Sequence, residues 1–179
     1  MKTLISIALL ATLSACAFAA DAPRKSPDVA VSFVDGKQAK VGDYHGKVVA
    51  MIFVLTTCSH CQHTCEVLEG LQKELGAKGF QVLAAAINDN PNVTKFIADF
   101  HLSFPVGVAP QEKARDYMQL SPMVRTFMPY LTLVDRNGNI RGQYTGGDPI
   151  FVGDQAANLR PEILKLLNEP GANGVKHKK

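Results

Sequence analysis

One apolar run, over residues 48–55, constrains the fold of this 179-residue chain most strongly. Eight consecutive apolar side chains predict a strand that is covered on both faces, at the centre of a sheet. Soon after the run, Cys61, Cys65 and Leu68 recur at the three- and four-residue steps of an amphipathic helix, and Leu71 continues the pattern. The sequence therefore predicts a central strand that leads almost directly into a helix, with Cys58 at the junction.

The remaining pattern alternates strands and helices and then ends in a hairpin. Residues 80–87 read as a second buried strand, and helices are predicted over 93–100 and 112–118. A turn over 135–139 separates two β-type runs, at 130–134 and 140–144, and a closing helix is predicted over 155–168. This order predicts an α/β sandwich with helices packed on the sheet.

The first 20 residues have the features of an export signal. Lys2 precedes a short apolar run at 4–13, which is too short to span a bilayer. Residues 17–19, Ala-Phe-Ala, fit an ordinary signal-peptidase site, whereas residues 13–16, Leu-Ser-Ala-Cys, resemble the lipobox of bacterial lipoproteins. We favour the second, which would attach a lipid to Cys16 and tether the protein to a membrane. Both routes place the domain in an oxidising compartment outside the cytoplasm.

Composition predicts one soluble domain. Of the residues, 46% are hydrophobic and the net charge is only +3, with a basic concentration at 176–179. No basic face suited to nucleic acid is apparent, so we exclude nucleic-acid partners. We expect a linker over 21–27, a domain over 28–169 and a flexible basic tail over 170–179.

The chemistry is expected at Cys58 and Cys61, in the motif Cys-Ser-His-Cys. At the start of a helix the Cys58 sulfur would lie beside unpaired backbone N–H groups and the positive end of the helix dipole, which favour the thiolate. His60, when protonated, would stabilise that thiolate further. An inert disulfide and half of a zinc site are the structural alternatives. A zinc site normally needs a second ligand pair, which the sequence lacks. A disulfide that closes so short a loop would constrain the unfolded chain little. We therefore favour a redox pair, without a bound cofactor or metal.

Three segments carry a resemblance to a known family: residues 46–49, 53–62 and 128–138. Over about 29–168 the chain resembles the thioredoxin superfamily, and within it the exported TlpA/ResA-type redoxins. The resemblance implies a three-layer α/β/α sandwich with a central mixed sheet, and a thiol-disulfide oxidoreductase. It departs from the family pattern at Thr57, where a Trp is usual.

The same resemblance implies roles for particular residues. Cys58 would be the nucleophile and Cys61 the resolving thiol. A cis peptide would join Met128 to Pro129, and the backbone of Met128 would pair with the substrate chain. The partners implied are protein thiols or disulfides of the cell envelope, and a membrane electron donor.

Cys65 leaves an alternative open. We favour a buried core residue there, since a free cysteine packs as a small hydrophobe. Residues 61–65, however, have the Cys-x3-Cys spacing of the Sco-type copper-delivery proteins, and thiolates suit Cu(I). His101 is not an obvious third ligand. A copper-binding protein and a redox-silent scaffold therefore remain as alternatives to the oxidoreductase.

Overall fold

The computed structural model describes residues 22–171. This part of the chain folds into a mixed eight-stranded sheet with helices on both faces. The four helices are α1 (Ser59–Leu75), α2 (Val93–Asp99), α3 (Gln111–Tyr117) and α4 (Gln155–Asn168). The strands are β1 (Arg24–Lys25), β2 (Val31–Ser32), β3 (Gln38–Ala39), β4 (Val48–Val54), β5 (Phe80–Ala86), β6 (Val106–Val108), β7 (Tyr130–Val134) and β8 (Asn139–Thr145).

β4 lies at the centre of the sheet, as its apolar run predicts. The strand order is β1-β8-β7-β4-β5-β6-β2-β3, and all seven residues of β4 are buried. β4 pairs in parallel with β5 and antiparallel with β7, so the sheet is mixed. The carboxyl end of β4 therefore lies beside the amino end of β7, with Phe53 opposite Tyr130.

Two hydrophobic clusters lie on opposite faces of the sheet. Alternate residues of β4, such as Ile52, pack with α1, α2 and α4, while Met51 and Phe53 pack with α3 and the 3-10 turn Val41–Tyr44. This alternation follows from the two-residue period of a strand. The predicted α/β/α sandwich is thus confirmed.

The hairpin of β7 and β8 is closed by the turn that the sequence predicts. The Asp135 carboxylate accepts hydrogen bonds from the backbone N–H groups of Asn137 and Asn139, each at 2.9 Å. Gly138 has a φ of +76°, a left-handed conformation that glycine adopts without steric cost. The turn combines an acceptor side chain with a glycine. Both residue types are typical of turns, so the sequence alone could predict this one.

The structure describes part of the predicted linker but neither the predicted export signal nor most of the predicted tail. The export signal over 1–20, with Cys16, lies outside the described residues, as does the tail beyond residue 171. Within the segment predicted as a linker, Arg24–Lys25 forms β1 and pairs with β8. The Arg24 guanidinium also donates to the carbonyl of Tyr117 at 2.8 Å and to the side chain of Gln143 at 2.6 Å. No helix between residues 22 and 171 has the length and apolarity needed to cross a membrane.

Candidate active site

Cys58 is the residue that precedes the first turn of α1. Its backbone is extended, with φ −87° and ψ 118°, and its carbonyl accepts the first helical hydrogen bond, from Gln62 N at 3.0 Å. Its own N–H donates to the carbonyl of Leu55 at 3.0 Å, which turns the chain sharply out of β4. The side chain is partly buried against the core and partly exposed. Cys58 thus combines solvent access with the helix N-terminus, where backbone N–H groups favour an anion.

The loop between β4 and α1 is held by two side chains that the sequence analysis did not identify. Asn88 follows β5, and its Oδ1 accepts from the backbone N–H of Thr56 at 3.0 Å and from its hydroxyl at 3.3 Å. Gln62 donates to the carbonyl of Thr56 at 2.9 Å. Asn88 could have been suspected, because parallel neighbours such as β4 and β5 end at the same edge of a sheet.

Cys61 lies behind Cys58, one helical turn further on. It has no exposed surface, and burial raises the pKa of the Cys61 thiol far above its ordinary value. The contact with the backbone of Leu55 opposes this increase, while a hydrogen bond with Cys58 adds to it. Both cysteines are free thiols within hydrogen-bonding reach of each other, so the two sulfurs that the sequence predicts to pair do lie together.

Cys65 lies deeper on the same face of α1. It is fully buried among core residues, and burial raises the pKa of its thiol to about 12, with a smaller contribution from the charge of Glu66. Its surroundings are those of a core residue. Within residues 22–171 the structure contains no cluster of three or more cysteine, histidine or acidic side chains arranged to hold a metal ion.

His60 is exposed on the first turn of α1. Its carbonyl accepts a hydrogen bond from the hydroxyl of Thr64 at 2.9 Å. Because His60 is exposed, its imidazole lies at the surface, next to the cysteine pair in the chain.

The loop before β7 lies at the same end of the sheet as Cys58. Met128 and Pro129 are joined by a cis peptide bond, and Tyr130, which follows, pairs with Phe53 near the end of β4. Met128 packs against both hydrophobic clusters. From the other side, Gly146 donates its N–H to the carbonyl of Phe127 at 2.7 Å. The structure thus brings the two predicted segments, the cysteine motif and the Met128-Pro129 loop, to one edge of the sheet.

Known proteins that are similar to this chain include thiol-disulfide oxidoreductases. A thiol-disulfide oxidoreductase named ResA from Geobacillus thermodenitrificans is 28% identical over 155 residues, which are 82% of this chain and 86% of that protein. A crystal structure assigned as a thiol:disulfide interchange protein DsbE of Chlorobium tepidum has a TM-score of 0.69 at 28% identity, over 82% of this chain and 98% of that one. A second thiol:disulfide interchange protein of the thioredoxin family, from Chlorobium tepidum TLS, has a TM-score of 0.67 at 26% identity, over 83% and 99%.

These similarities confirm the predicted thioredoxin-like fold and the predicted class of thiol-disulfide oxidoreductase. Residues 22–158 also match the family described as Redoxin. The matched span runs from the first strand to within α4, so it includes both cysteines, the Met128-Pro129 loop and the whole sheet. On that evidence the chain is a member of the Redoxin family.

Proposed function

We propose that this chain exchanges disulfides with partner proteins through Cys58 and Cys61. The observation that carries the proposal is the difference in exposure between two adjacent thiols. Cys58 is accessible at the helix start, whereas Cys61 is fully buried behind it. A partner can therefore reach only the first sulfur, and the second is available to the first from inside the protein.

The exchange balances over two steps. The Cys58 thiolate attacks one sulfur of a partner disulfide, the partner S–S bond breaks, and a mixed disulfide forms while the released partner thiolate takes up a proton. Cys61 then gives up its proton and attacks Cys58, which releases the second partner thiol and forms the Cys58–Cys61 disulfide. The partner gains two electrons and two protons, and the reverse sequence oxidises a partner dithiol.

Three further residues are assigned to this reaction. The backbone of Met128, followed by Pro129, pairs with the partner chain next to Cys58. Met128 and Pro129 lie at the same edge of the sheet as Cys58, which supports this assignment. His60 stabilises the Cys58 thiolate when protonated, and its place on the first turn of α1, close to Cys58 in the chain, supports that role.

The location that we propose is outside the cytoplasm of a bacterium. Residues 1–20 serve as an export signal, and cleavage before Cys16 leaves a lipid-anchored protein with its domain over 28–169. The partners are thiols or disulfides of envelope proteins, with a membrane protein as electron donor. The apolar run at 4–13 and the lipobox pattern at 13–16 support the proposal. Intact-mass analysis of the exported protein tests it, because an unmodified chain that begins at Ala20 would contradict lipidation.

Burial weakens the alternative of copper binding. Copper binding by residues 61–65 requires a thiolate at Cys65 as well as at Cys61, and Cys65 lies fully buried among core residues, where burial raises the pKa of its thiol. A redox-silent scaffold is likewise less favoured, because the two free thiols adjoin each other at an exposed helix start.

Trapping tests the proposal. Cys61→Ser removes the resolving thiol, so the variant should accumulate a mixed disulfide on Cys58 when it meets a disulfide-bonded protein. Mass spectrometry of the linked peptides identifies the sulfur. Cys58→Ser is the matched control and should trap nothing. Linkage through Cys65, or equal trapping by both variants, would contradict the proposal.

A further inference from the structure

A cavity of about 620 Å³ opens beside the cysteine motif. Leu55, which accepts the N–H bond of Cys58, forms one wall, and Met128 and Tyr130 form the wall next to the cis peptide. The segment between α3 and β7 completes the cavity through residues 122–126. A chain bound along Met128 would therefore continue directly into this cavity, which we call the loop groove.

The loop groove displays apolar side chains to solvent. Met123 is 90% exposed and Val124 is 57% exposed, and Phe127, which follows them, is 55% exposed. Half of the large apolar side chains that are markedly exposed in residues 22–171 belong to this one loop. Clustered exposed apolar groups on a soluble protein are typical of an interaction surface.

The charge of the loop groove has a single sign. Arg115 and Arg125 both line it, and its lining contains no acidic side chain. Arg115 is directed to the loop by a hydrogen bond to the carbonyl of Ser121 at 2.9 Å, and the guanidinium of Arg125 lies 5.4 Å from the centre of the Phe127 ring. Two cations held over an apolar surface favour a ligand that carries a carboxylate next to an apolar side chain.

We propose that the loop groove selects the partner: it binds an extended segment, next to the reactive cysteine of the partner protein, that carries acidic and apolar side chains. This assignment rests on the function proposed above and names the class of substrate. The basic end of the chain itself, at 176–179, is excluded as the occupant by charge, because lysines would face arginines. Electrostatic selection of this kind acts mainly on the rate of encounter.

Two designed peptides test the proposal. Each carries one cysteine as a mixed disulfide with 2-mercaptoethanol. One has Glu and Leu on either side of the cysteine, and the other has Lys in place of Glu. At low ionic strength the reduced full-length chain should react roughly tenfold faster with the acidic peptide. The double variant Arg115→Gln/Arg125→Gln should lose most of that preference, and so should the wild type in high salt, because ions screen the contact.

Matched controls separate the loop groove from net charge. Lys78→Gln/Lys165→Gln removes the same two charges from exposed positions away from the loop groove, and it should keep the preference. If this variant loses the preference as well, global charge explains the effect and the proposal is wrong. A concentration-dependent dimer that the arginine variant abolishes would assign the surface to a second copy of the chain and would also overturn the proposal.

A neutral substrate distinguishes this inference from the function on which it rests. Reduction of 2-hydroxyethyl disulfide depends on the cysteines alone, so the arginine variant should reduce it at the wild-type rate. If the wild type fails to reduce it, disulfide exchange itself is contradicted. If the wild type reduces it but reacts equally with both peptides, only the loop groove assignment falls.

Discussion

Gly146 packs its backbone directly against Met128, so closely that a β-carbon at position 146 would overlap the Met128 carbonyl oxygen. The contact joins the end of β8 to the peptide bond that precedes Pro129. Because the Gly146 N–H also donates to the carbonyl of Phe127, the backbone on which a partner chain would lie is held from behind. The position of the Met128 backbone, where we propose that a partner chain binds, therefore depends on the absence of a side chain at residue 146.

Gly146→Ala is expected to displace this loop. The overlap is with backbone, which cannot rotate away, so the free energy of unfolding should fall by about 1–3 kcal/mol. Exchange with a disulfide-bonded protein should also slow. Urea unfolding and the exchange rate measure the two effects. Gly147→Ala is the control, since a β-carbon there would lie 3.6 Å from Phe127 Cδ2, an ordinary contact. Equal losses in both variants would show that the Met128 contact is not the cause.

The three thiols should differ widely in reactivity. Cys58 is accessible, whereas Cys61 and Cys65 are buried with raised thiol pKa values, so iodoacetamide should alkylate Cys58 first. Peptide mass spectrometry after timed quenching at neutral pH measures the order. In denaturing urea all three should react at similar rates, which controls for the reagent. Faster alkylation of Cys65 than of Cys58 in the folded protein would refute the assignment of the α1 faces.

Buried Cys65 should make the reduced protein less stable in alkali. Its pKa is raised to about 12 in the folded state, while a cysteine in the unfolded chain has a pKa of about 8.5. Above the unfolded value the unfolded chain holds fewer protons than the folded one, so the free energy of unfolding falls as pH rises. From pH 7.5 to 10 this loss should be about 1–2 kcal/mol.

Cys65→Ala has no thiol at this position. Comparison with the wild type therefore separates the contribution of Cys65 from those of other groups that titrate in alkali. The stability difference between the wild type and Cys65→Ala, measured by urea unfolding under reducing conditions, should narrow between pH 7.5 and 10. A constant difference would show that Cys65 does not retain its proton in the folded protein.

Asp135 should stabilise the hairpin through its charge. Burial alone would raise the pKa of this carboxyl, but hydrogen bonds from Asn139, Arg141 and Asn137 outweigh it and lower the pKa. A lowered folded pKa contributes stability that is present above the unfolded value, about 3.9, and is lost as pH falls through the folded value. Asp135→Asn should thus cost about 1–3 kcal/mol at neutral pH, with the difference from wild type closing in acid.

Asp35→Asn is the matched control for this measurement. Asp35 also occupies a turn and pairs with Lys37, but it is exposed, and exposed ion pairs contribute little to stability. The free energy of unfolding of Asp35→Asn should therefore stay close to that of the wild type across the same pH range. If Asp135→Asn behaves in the same way, the buried hydrogen bonds of the turn do not carry the stability assigned to them.

The sequence predicts elements with a complete periodic pattern best. The strand Tyr130–Val134 and the helix Gln155–Asn168 have the predicted bounds, because each has several apolar residues in register between clear turn signals. β1 and β6 were not predicted, since strands of two or three residues are too short to show a period. Their existence depends on neighbours that are distant in sequence.

The site divides in the same way. The placement of Cys58 and Cys61 at the start of α1 could be predicted, because the junction of strand and helix is local. The support from Asn88 could not, since its bond to Thr56 joins residues 32 positions apart. The apolar residues of the loop groove were also missed, because Met123 and Val124 are exposed and follow no helical or strand period.

The pairing of β1 with β8 would limit how far the domain can move from the lipid anchor proposed at Cys16. Arg24 is fixed to the sheet opposite Ile140, so only the eight residue steps from Cys16 to Arg24 could act as a leash for a lipid on Cys16. Fully extended, eight residues span at most about 29 Å. A form tethered through Cys16 would therefore keep β1 within that distance of the bilayer surface, so the protein would act on disulfides presented close to the membrane.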